Sequence, residues 1–154
     1  MKAEDLVAVT AIEGPTQMSD ASLREEMLRP WSRMWVARED GVGVVAFIVA
    51  WHVADELHVL NIATRPDRRR RGIGRALMDT LLSYGQRCKV QHLLLEVRRS
   101  NRAAMTLYRG VGFFAMGVRA RYYADDEDAV EMVLTLDPET GEIVRHTDEV
   151  RLDS

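Results

Sequence analysis

The residues with the clearest chemistry are a run of arginines followed by two glycines: Arg68 to Arg71, then Gly72 and Gly74. An apolar stretch of strand character precedes this turn, and a segment with helical spacing follows it. The glycines lack side chains where the backbone has to turn and be approached closely. The start of the next helix offers free N–H groups and the positive end of the helix dipole. Together with the arginine charge, this pattern predicts a seat for the pyrophosphate of a nucleotide-like cofactor.

Several glycine motifs compete for this turn. A nucleotide-triphosphate P-loop requires a lysine and a hydroxyl residue directly after its last glycine, and neither follows Gly74. A dinucleotide fingerprint requires a third glycine where this chain has Leu77. The pattern Arg/Gln-x-x-Gly-x-Gly/Ala is met by Arg69, Gly72 and Gly74. Judged by charge alone, the same run can be a solvated basic surface or a nucleic-acid patch.

Length and composition favour one globular domain, since the 154 residues are 47% hydrophobic and 29% charged. We place this domain at residues 1–136 and expect the polar, acidic tail at 137–154 to be loosely ordered and dispensable for chemistry. A net charge of −3 argues against nucleic acid as a direct partner. No feature of the sequence specifies an oligomeric state.

Cysteine and histidine usage predicts no metal site, because Cys88 is alone and the four histidines lack metal-ligand spacing. The sequence has no apolar run long enough for a transmembrane helix and no apolar leader after Met1. We therefore expect a cytoplasmic protein without a membrane partner.

The periodicity of apolar residues predicts an α/β fold with a single mixed, mostly antiparallel sheet flanked by helices. The predicted order of elements is β-α-β-β-β-α-β-α-β-β. Strands are expected at residues 6–12, 35–38, 44–53, 56–64, 92–97, 113–121 and 129–136. Helices are expected at residues 19–28, 74–90 and 101–108, with a loop at 13–17.

The arginine–glycine turn resembles the acetyl-coenzyme A loop of the GCN5-related N-acetyltransferases, the GNAT family. Residues 95–104 are similar to the Leu-Glu-Val-Arg-x-Ser-Asn-x-x-Ala signature of the RimI family within it, and residues 107–113 resemble its Leu-Tyr-x-x-x-Gly-Phe segment. Residues 121–132 are similar to its Arg-x-Tyr-Tyr, Asp-Ala and Met ending. The likeness covers residues 35–136.

The resemblance implies transfer of an acetyl group from acetyl-coenzyme A (acetyl-CoA) to a protein N-terminal α-amine. The RimI-like substrate is the N-terminal alanine of protein eighteen of the small ribosomal subunit. The resemblance further implies that Glu96 is the general base and Tyr108 the general acid. It implies cofactor contacts at these positions: Ile62, Ala63, Thr64, Arg70, Arg71, Gly72, Ile73, Gly74, Arg75 and Asn101.

Acetyl transfer to an amine requires a group that removes a proton from the substrate. An α-ammonium group, with a pKa of about 7.7–8.0, must lose its proton before it can attack a thioester. We expect burial at the strand end to raise the pKa of Glu96 toward a useful value. By residue spacing alone, Glu96 can instead be an ion-pair partner of Arg98, and Tyr108 a core residue beside Phe113.

The acceptor side of the site departs from the family pattern. The Pro-Trp-Ser motif expected before the first helix is replaced by Gln17-Met18-Ser19. Tyr122 and Tyr123 can line a peptide channel or simply pack against each other. Other protein N-termini, lysine side chains and small amines therefore remain alternative acceptors. A domain that senses acetyl-CoA or binds RNA is the non-enzymatic alternative.

Overall fold

The computed structural model describes residues 2–12 and 19–152. The loop predicted at 13–17, and Gln17 and Met18 of the replaced motif, lie outside these ranges. The helices are α1 (Leu6–Thr10), α2 (Asp20–Leu28), α3 (Ile73–Arg87) and α4 (Arg102–Val111). The strands are β1 (Ser32–Glu39), β2 (Gly43–Val53), β3 (Glu56–Thr64), β4 (His92–Arg98), β5 (Phe114–Arg119), β6 (Ala129–Leu136) and β7 (Ile143–Val144).

The strands form one sheet in the order β1-β2-β3-β4-β6-β5, with β7 paired to β6. β3 pairs with β4 in parallel, whereas the pairings β1–β2, β4–β6, β5–β6 and β6–β7 are antiparallel. The predicted single mixed α/β sheet is confirmed. Within the described ranges, no helix combines the length and apolar character that crossing a membrane requires.

The strand predicted at residues 6–12 is wrong, because this segment starts with helix α1. Leu6, Val9 and Ile12 are buried, at 3%, 1% and 4% exposure, whereas Val7 is 76% exposed. Burial every third residue is the periodicity of a helix, not the alternation of a strand. The apolar, β-branched composition of this stretch misled the prediction.

The helix predicted at residues 19–28 is confirmed as α2. Its N-cap is Ser19, whose hydroxyl oxygen accepts a hydrogen bond from the backbone N–H of Ser22 at 3.1 Å. This is the usual device for satisfying a free N–H in the first turn of a helix.

Residue contacts divide the chain into two compact units. Unit 1 comprises Met1–Val53 and Val59–Leu81, and unit 2 comprises Ala54–His58 and Leu82–Ser154. The core of unit 1 joins α1 and α2 to β2 and the end of β3. Its buried members are Leu6, Val9, Ile12, Leu23, Val44, Phe47, Val49 and Ala63.

Unit 2 packs the end of α3 closely on the sheet. A Cβ atom placed on Gly85 would lie 3.2 Å from Leu57 Cδ1 and 3.6 Å from Leu93 Cδ1. Along β4, Leu93, Leu95 and Val97 are buried, while the alternate residues are partly exposed. This alternation leaves one face of β4 open, and Glu96 lies on that open face.

The segment after β6 makes defined contacts within unit 2. β7 pairs Val144 with Thr135 of β6, and the side chain of Gln86 donates a hydrogen bond to the carbonyl of Gly141 at 2.8 Å. The Asp148 carboxylate accepts hydrogen bonds from the Arg109 guanidinium at 2.6 Å and from the backbone N–H of Ala115 at 2.9 Å. The sequence analysis did not foresee these contacts.

Candidate active site

The open face of the sheet in unit 2 brings an imidazole next to the predicted base. In the parallel pairing of β3 with β4, His58 is opposite Leu94. Glu96, two residues further along β4, points to the same face as Leu94. His58 Nε2 and Glu96 Oε1 are 3.6 Å apart, which is the distance of an ion pair.

The two groups shift each other's pKa in opposite directions. The Glu96 carboxylate raises the pKa of His58 above 6.5, although burial acts against this shift. The imidazole of His58 lowers the pKa of Glu96 below 4.5, although burial opposes that shift too. The expectation that burial would raise the pKa of Glu96 is therefore wrong, because the charge beside it outweighs desolvation.

Arg98, the ion-pair partner that spacing suggested for Glu96, is engaged elsewhere. Its guanidinium lies 2.9 Å from the Asp125 carboxylate and 3.3 Å from that of Glu127. It also lies over the ring of Tyr123, with Arg98 Cζ 4.1 Å from the ring centroid. Arg98 thus holds the segment between β5 and β6, and the ion-pair partner of Glu96 is His58.

Tyr108 is buried on α4, with 6% of its surface exposed. Its ring lies 5.8 Å from that of Phe113, as the core interpretation predicted. Burial raises the pKa of its phenol to about 12, with a smaller contribution from Tyr123. Tyr108 is therefore a phenol that stays protonated at any pH at which the protein would work.

Tyr123 interacts electrostatically with both Glu96 and Tyr108, the predicted base and acid. Burial raises the pKa of its phenol above 10.0, the charge of Arg98 opposes this shift, and Tyr122 and then Glu96 raise the pKa by smaller amounts. Tyr123 also contributes to the raised pKa of Tyr108. Glu96 and Tyr108 therefore share Tyr123 as a neighbour within unit 2. Tyr122 packs edge-on against Tyr123, with ring centroids 5.0 Å apart, and is 47% exposed.

Asn101 has a structural task at the start of α4. Its side-chain oxygen accepts a hydrogen bond from the backbone N–H of Ala104 at 3.1 Å and so caps the helix. The position carrying this cap is the one to which the resemblance assigned a cofactor contact. That contact stays a prediction.

The predicted pyrophosphate seat lies in unit 1, where β3 leads into α3. Gly72 has φ +76°, and an added Cβ would meet no atom within 4 Å. Arg70 also has positive φ, +64°. α3 begins at Ile73, so that Gly74 and Arg75 lie in its first turn. Gly72 is thus required by backbone conformation, and the space above it is open to a ligand.

Several arginines around this turn form ion pairs with acidic side chains. Arg65 and Arg68 are paired with Asp67 at 2.8 and 3.0 Å, and Arg68 also lies 2.6 Å from the Glu39 carboxylate. Arg75 pairs with Asp79 one helical turn away, at 3.2 Å. The side chain of Arg69 donates a hydrogen bond to the carbonyl of Thr64 at 3.2 Å.

Arg70 and Arg71 are both solvent-exposed beside Gly72. Of the strand positions predicted to meet the cofactor, Ala63 is buried, while Ile62 and Thr64 are partly exposed. The strand end is fixed by the backbone N–H of Arg65, which donates to the carbonyl of Val45 at 2.8 Å. Among the described residues, no cluster of three His, Cys, Asp or Glu side chains is suited to holding a metal ion.

Sequence reasoning missed His58. The histidines were considered only as metal ligands, and their spacing excluded that role. The alternation along β3, in which Leu57 and Val59 are apolar, was a usable signal because it places His58 on the polar face. That Glu96 also lies beside it depends on which strands are neighbours, and this was not evident from β3 alone.

Comparison with known proteins gives the family. The sequence profile of the Acetyltransferase (GNAT) family matches residues 4–113. The chain is 36% identical over 121 residues to the [ribosomal protein bS18]-alanine N-acetyltransferase of Escherichia coli K12, a match that covers 70% of this chain and 82% of that protein. It is 31% identical over 141 residues to a putative enzyme of the same name from Bacillus subtilis 168, covering 88% and 93%.

The fold agrees with a solved relative. The crystal structure of the ribosomal-protein-S18-alanine N-acetyltransferase from Escherichia coli superimposes with a TM-score of 0.79 at 30% identity, covering 97% of this chain and 94% of that one. Both the profile match and these identities extend over most of the chain. The protein therefore belongs to the GNAT family of acetyltransferases and is an enzyme that transfers acetyl groups from acetyl-CoA to an amine.

Proposed function

We propose that this enzyme acetylates the α-amine of a protein N-terminus, and that its substrate is the N-terminal alanine of ribosomal protein bS18. The observation that carries the proposal is the similarity to bS18-alanine N-acetyltransferases over 82% and 93% of their lengths. Glu96 and Tyr108, which the RimI resemblance assigns as base and acid, both lie in unit 2 and share Tyr123 as a neighbour.

In this proposal, acetyl-CoA supplies the acetyl group as a thioester, and the end of β3 and the turn before α3 hold it. Arg70, Arg71 and Arg75, with Gly72, Ile73 and Gly74, would bind the pyrophosphate through positive charge and the backbone N–H groups at the start of α3. The backbone of Ile62, Ala63 and Thr64 would meet the pantetheine arm. Its N–H groups would stabilise the acetyl carbonyl oxygen as negative charge develops there.

Glu96 would take the proton from the substrate ammonium, which frees the nitrogen lone pair for attack on the acetyl carbon. As the C–N bond forms, the C–S bond breaks and the sulfur leaves with its electron pair. The attacking nitrogen releases its second proton to solvent, and the thiolate takes up one proton from solvent to give the free thiol of coenzyme A. Tyr108 would donate a hydrogen bond to this sulfur. With a pKa of about 12, its phenol lies about 3.5 pKa units above an ordinary thiol, so stabilising the thiolate is favoured over protonating it.

The acceptor can be tested by incubating the enzyme with acetyl-CoA and a matched set of peptides. One carries the N-terminal sequence of bS18, others replace its first residue by Ser or Met, and one has a blocked N-terminus and an internal lysine. Fragmentation mass spectrometry then locates each acetyl group. We expect the Ala peptide to be modified at its α-amine and to have the highest kcat/KM.

A pair of carboxylate variants makes this test specific. Glu139 is an exposed carboxylate of the same unit, after the end of β6. Glu96→Gln should lower kcat about 10²- to 10⁴-fold, the range for loss of a general base. Glu139→Gln should leave kcat within a few-fold of wild type. Acetylation confined to the lysine side chain would contradict the proposed acceptor.

A further inference from the structure

His58 raises a question that the proposed role of Glu96 leaves open, namely where the substrate proton goes. Glu96 has a pKa below 4.5, whereas the α-ammonium has a pKa of about 7.7–8.0. Leaving the proton on the carboxylate is therefore unfavourable, because even an ordinary Glu carboxyl is about 3 pKa units more acidic than an α-ammonium. A carboxylate in this position can pass a proton on, but it is a poor place for the proton to stay.

The imidazole beside Glu96 is a better acceptor. The pKa of His58 lies above 6.5, much closer to that of the amine. Its Nε2 is 3.6 Å from Glu96 Oε1, a separation that a small side-chain movement shortens to a hydrogen bond. The His58 side chain is 44% exposed and that of Glu96 is 19% exposed, so exposure to water increases from the carboxylate to the imidazole.

We propose that His58 and Glu96 form a proton relay: the proton leaves the substrate ammonium for a Glu96 oxygen, passes from Glu96 to His58 Nε2, and leaves the imidazole for solvent. This inference rests on the proposed function, because it takes Glu96 as the base. The relay carries the first of the two protons that the ammonium loses, the carboxylate ends as it began, and the imidazole releases its proton to water. His58 thereby acts through Glu96 and is a positioning and proton-accepting residue.

The charged groups around His58 suit this task. On its own strand, Glu56 adds negative charge that stabilises the imidazolium. On β5, Arg119 acts in the opposite sense on His58 and also lowers the pKa of Glu96. On β6, Glu131 pairs with Arg119 and partly offsets its charge. The Glu96 carboxylate on β4 has the largest effect on His58, so the pair titrates as a unit.

The relay is tested first by kinetics at saturating acetyl-CoA and bS18 peptide. His58→Gln should lower kcat at neutral pH at least tenfold, with the KM for acetyl-CoA unchanged. In wild type, kcat should rise with pH through a transition above pH 6.5, because only neutral imidazole accepts a proton. This transition should be lost in His58→Gln. His92→Gln is the matched control, since His92 is a partly exposed strand histidine of the same unit and should keep the wild-type profile.

NMR titration of the His58 ring protons gives a readout that does not depend on turnover. The pKa of His58 should lie above 6.5 in wild type and fall toward 6.5 in Glu96→Gln. A His58→Gln variant with wild-type kcat and the wild-type pH profile would overturn the relay, as would a His58 pKa unaffected by Glu96→Gln. If Glu96→Gln itself keeps full activity, the base assignment fails and the proposed mechanism fails with it. If Glu96→Gln lowers kcat but His58→Gln does not, the relay is wrong and the assignment of Glu96 as the base stands.

Discussion

The side-chain oxygen of Asn101 accepts a hydrogen bond from the backbone N–H of Ala104 at 3.1 Å, and this bond caps the helix that carries Tyr108. Asn101 therefore has one observed role and one predicted role. The cap holds the first turn of α4, and the family resemblance assigns the same residue to the cofactor. Substitutions that keep one role and remove the other can separate them.

We predict that Asn101→Ala lowers the free energy of unfolding by about 1 kcal/mol, the usual loss for an N-cap. Asn101→Asp should restore this stability, because Asp caps helices as well as Asn does. If Asn101 also contacts acetyl-CoA through its amide, Asp will raise the KM for acetyl-CoA without destabilising the protein. Denaturant unfolding and steady-state kinetics of both variants measure the two effects. A wild-type KM for acetyl-CoA in Asn101→Asp would show that capping α4 is the only role of Asn101.

Tyr108→Phe should lower kcat about 10²-fold, because the ring stays packed and only the hydroxyl is lost. Since the Tyr108 pKa is about 12, its ionisation should not reduce kcat at any pH up to about 10. The measurement is kcat against pH for the variant and wild type. Tyr84→Phe, a change on α3, serves as the control. An alkaline decline in wild type that Tyr108→Phe abolishes would instead show a phenol that ionises near working pH.

The helices and strands of most of the chain could be predicted because local pattern and final burial agree. β3 and β6 have the predicted bounds, 56–64 and 129–136. β3 alternates as a strand with one buried face does, whereas β6 is a mostly apolar run that is buried along most of its length. α1 was mistaken for a strand because its apolar, β-branched composition is typical of strands. In that segment Val7 is exposed, and nothing in its local sequence distinguishes it from buried Val9.

The turn at Gly72 was predictable because it belongs to a continuous motif, whereas the cofactor contacts assigned there stay predictions. Gly72 combines a positive φ with open space, as a phosphate-binding turn requires. Ion pairing was not predictable, because it depends on residues distant in sequence. Glu39, 29 residues before Arg68, pairs with it, and His58 lies beside Glu96 only because β3 and β4 are neighbours.

Arg70 and Arg71 should contribute more to acetyl-CoA binding than their ion-paired neighbours. Each is exposed at the turn, whereas Arg65 is paired with Asp67 at 2.8 Å. Replacing Arg70 and Arg71 together by Ala should raise the KM for acetyl-CoA at least tenfold, since a hydrogen bond to a charged group contributes about 1.5–3 kcal/mol. Arg65→Ala is the control and should change KM less than threefold. Equal effects of the two changes would indicate a diffuse positive field in place of a defined phosphate contact.

Asp148 should stabilise unit 2 without taking part in catalysis. Its carboxylate accepts from the backbone N–H of fully buried Ala115 and from Arg109 on α4. Asp148→Ala removes the acceptor of a buried N–H, so the free energy of unfolding should fall by about 1–3 kcal/mol. Asp148→Asn keeps an oxygen for Ala115 and should lose less. We expect kcat to stay within a few-fold of wild type in both variants below their unfolding transitions. A large fall in kcat in stably folded Asp148→Asn would mean that the tail acts on the chemistry, contrary to the expectation that it is dispensable.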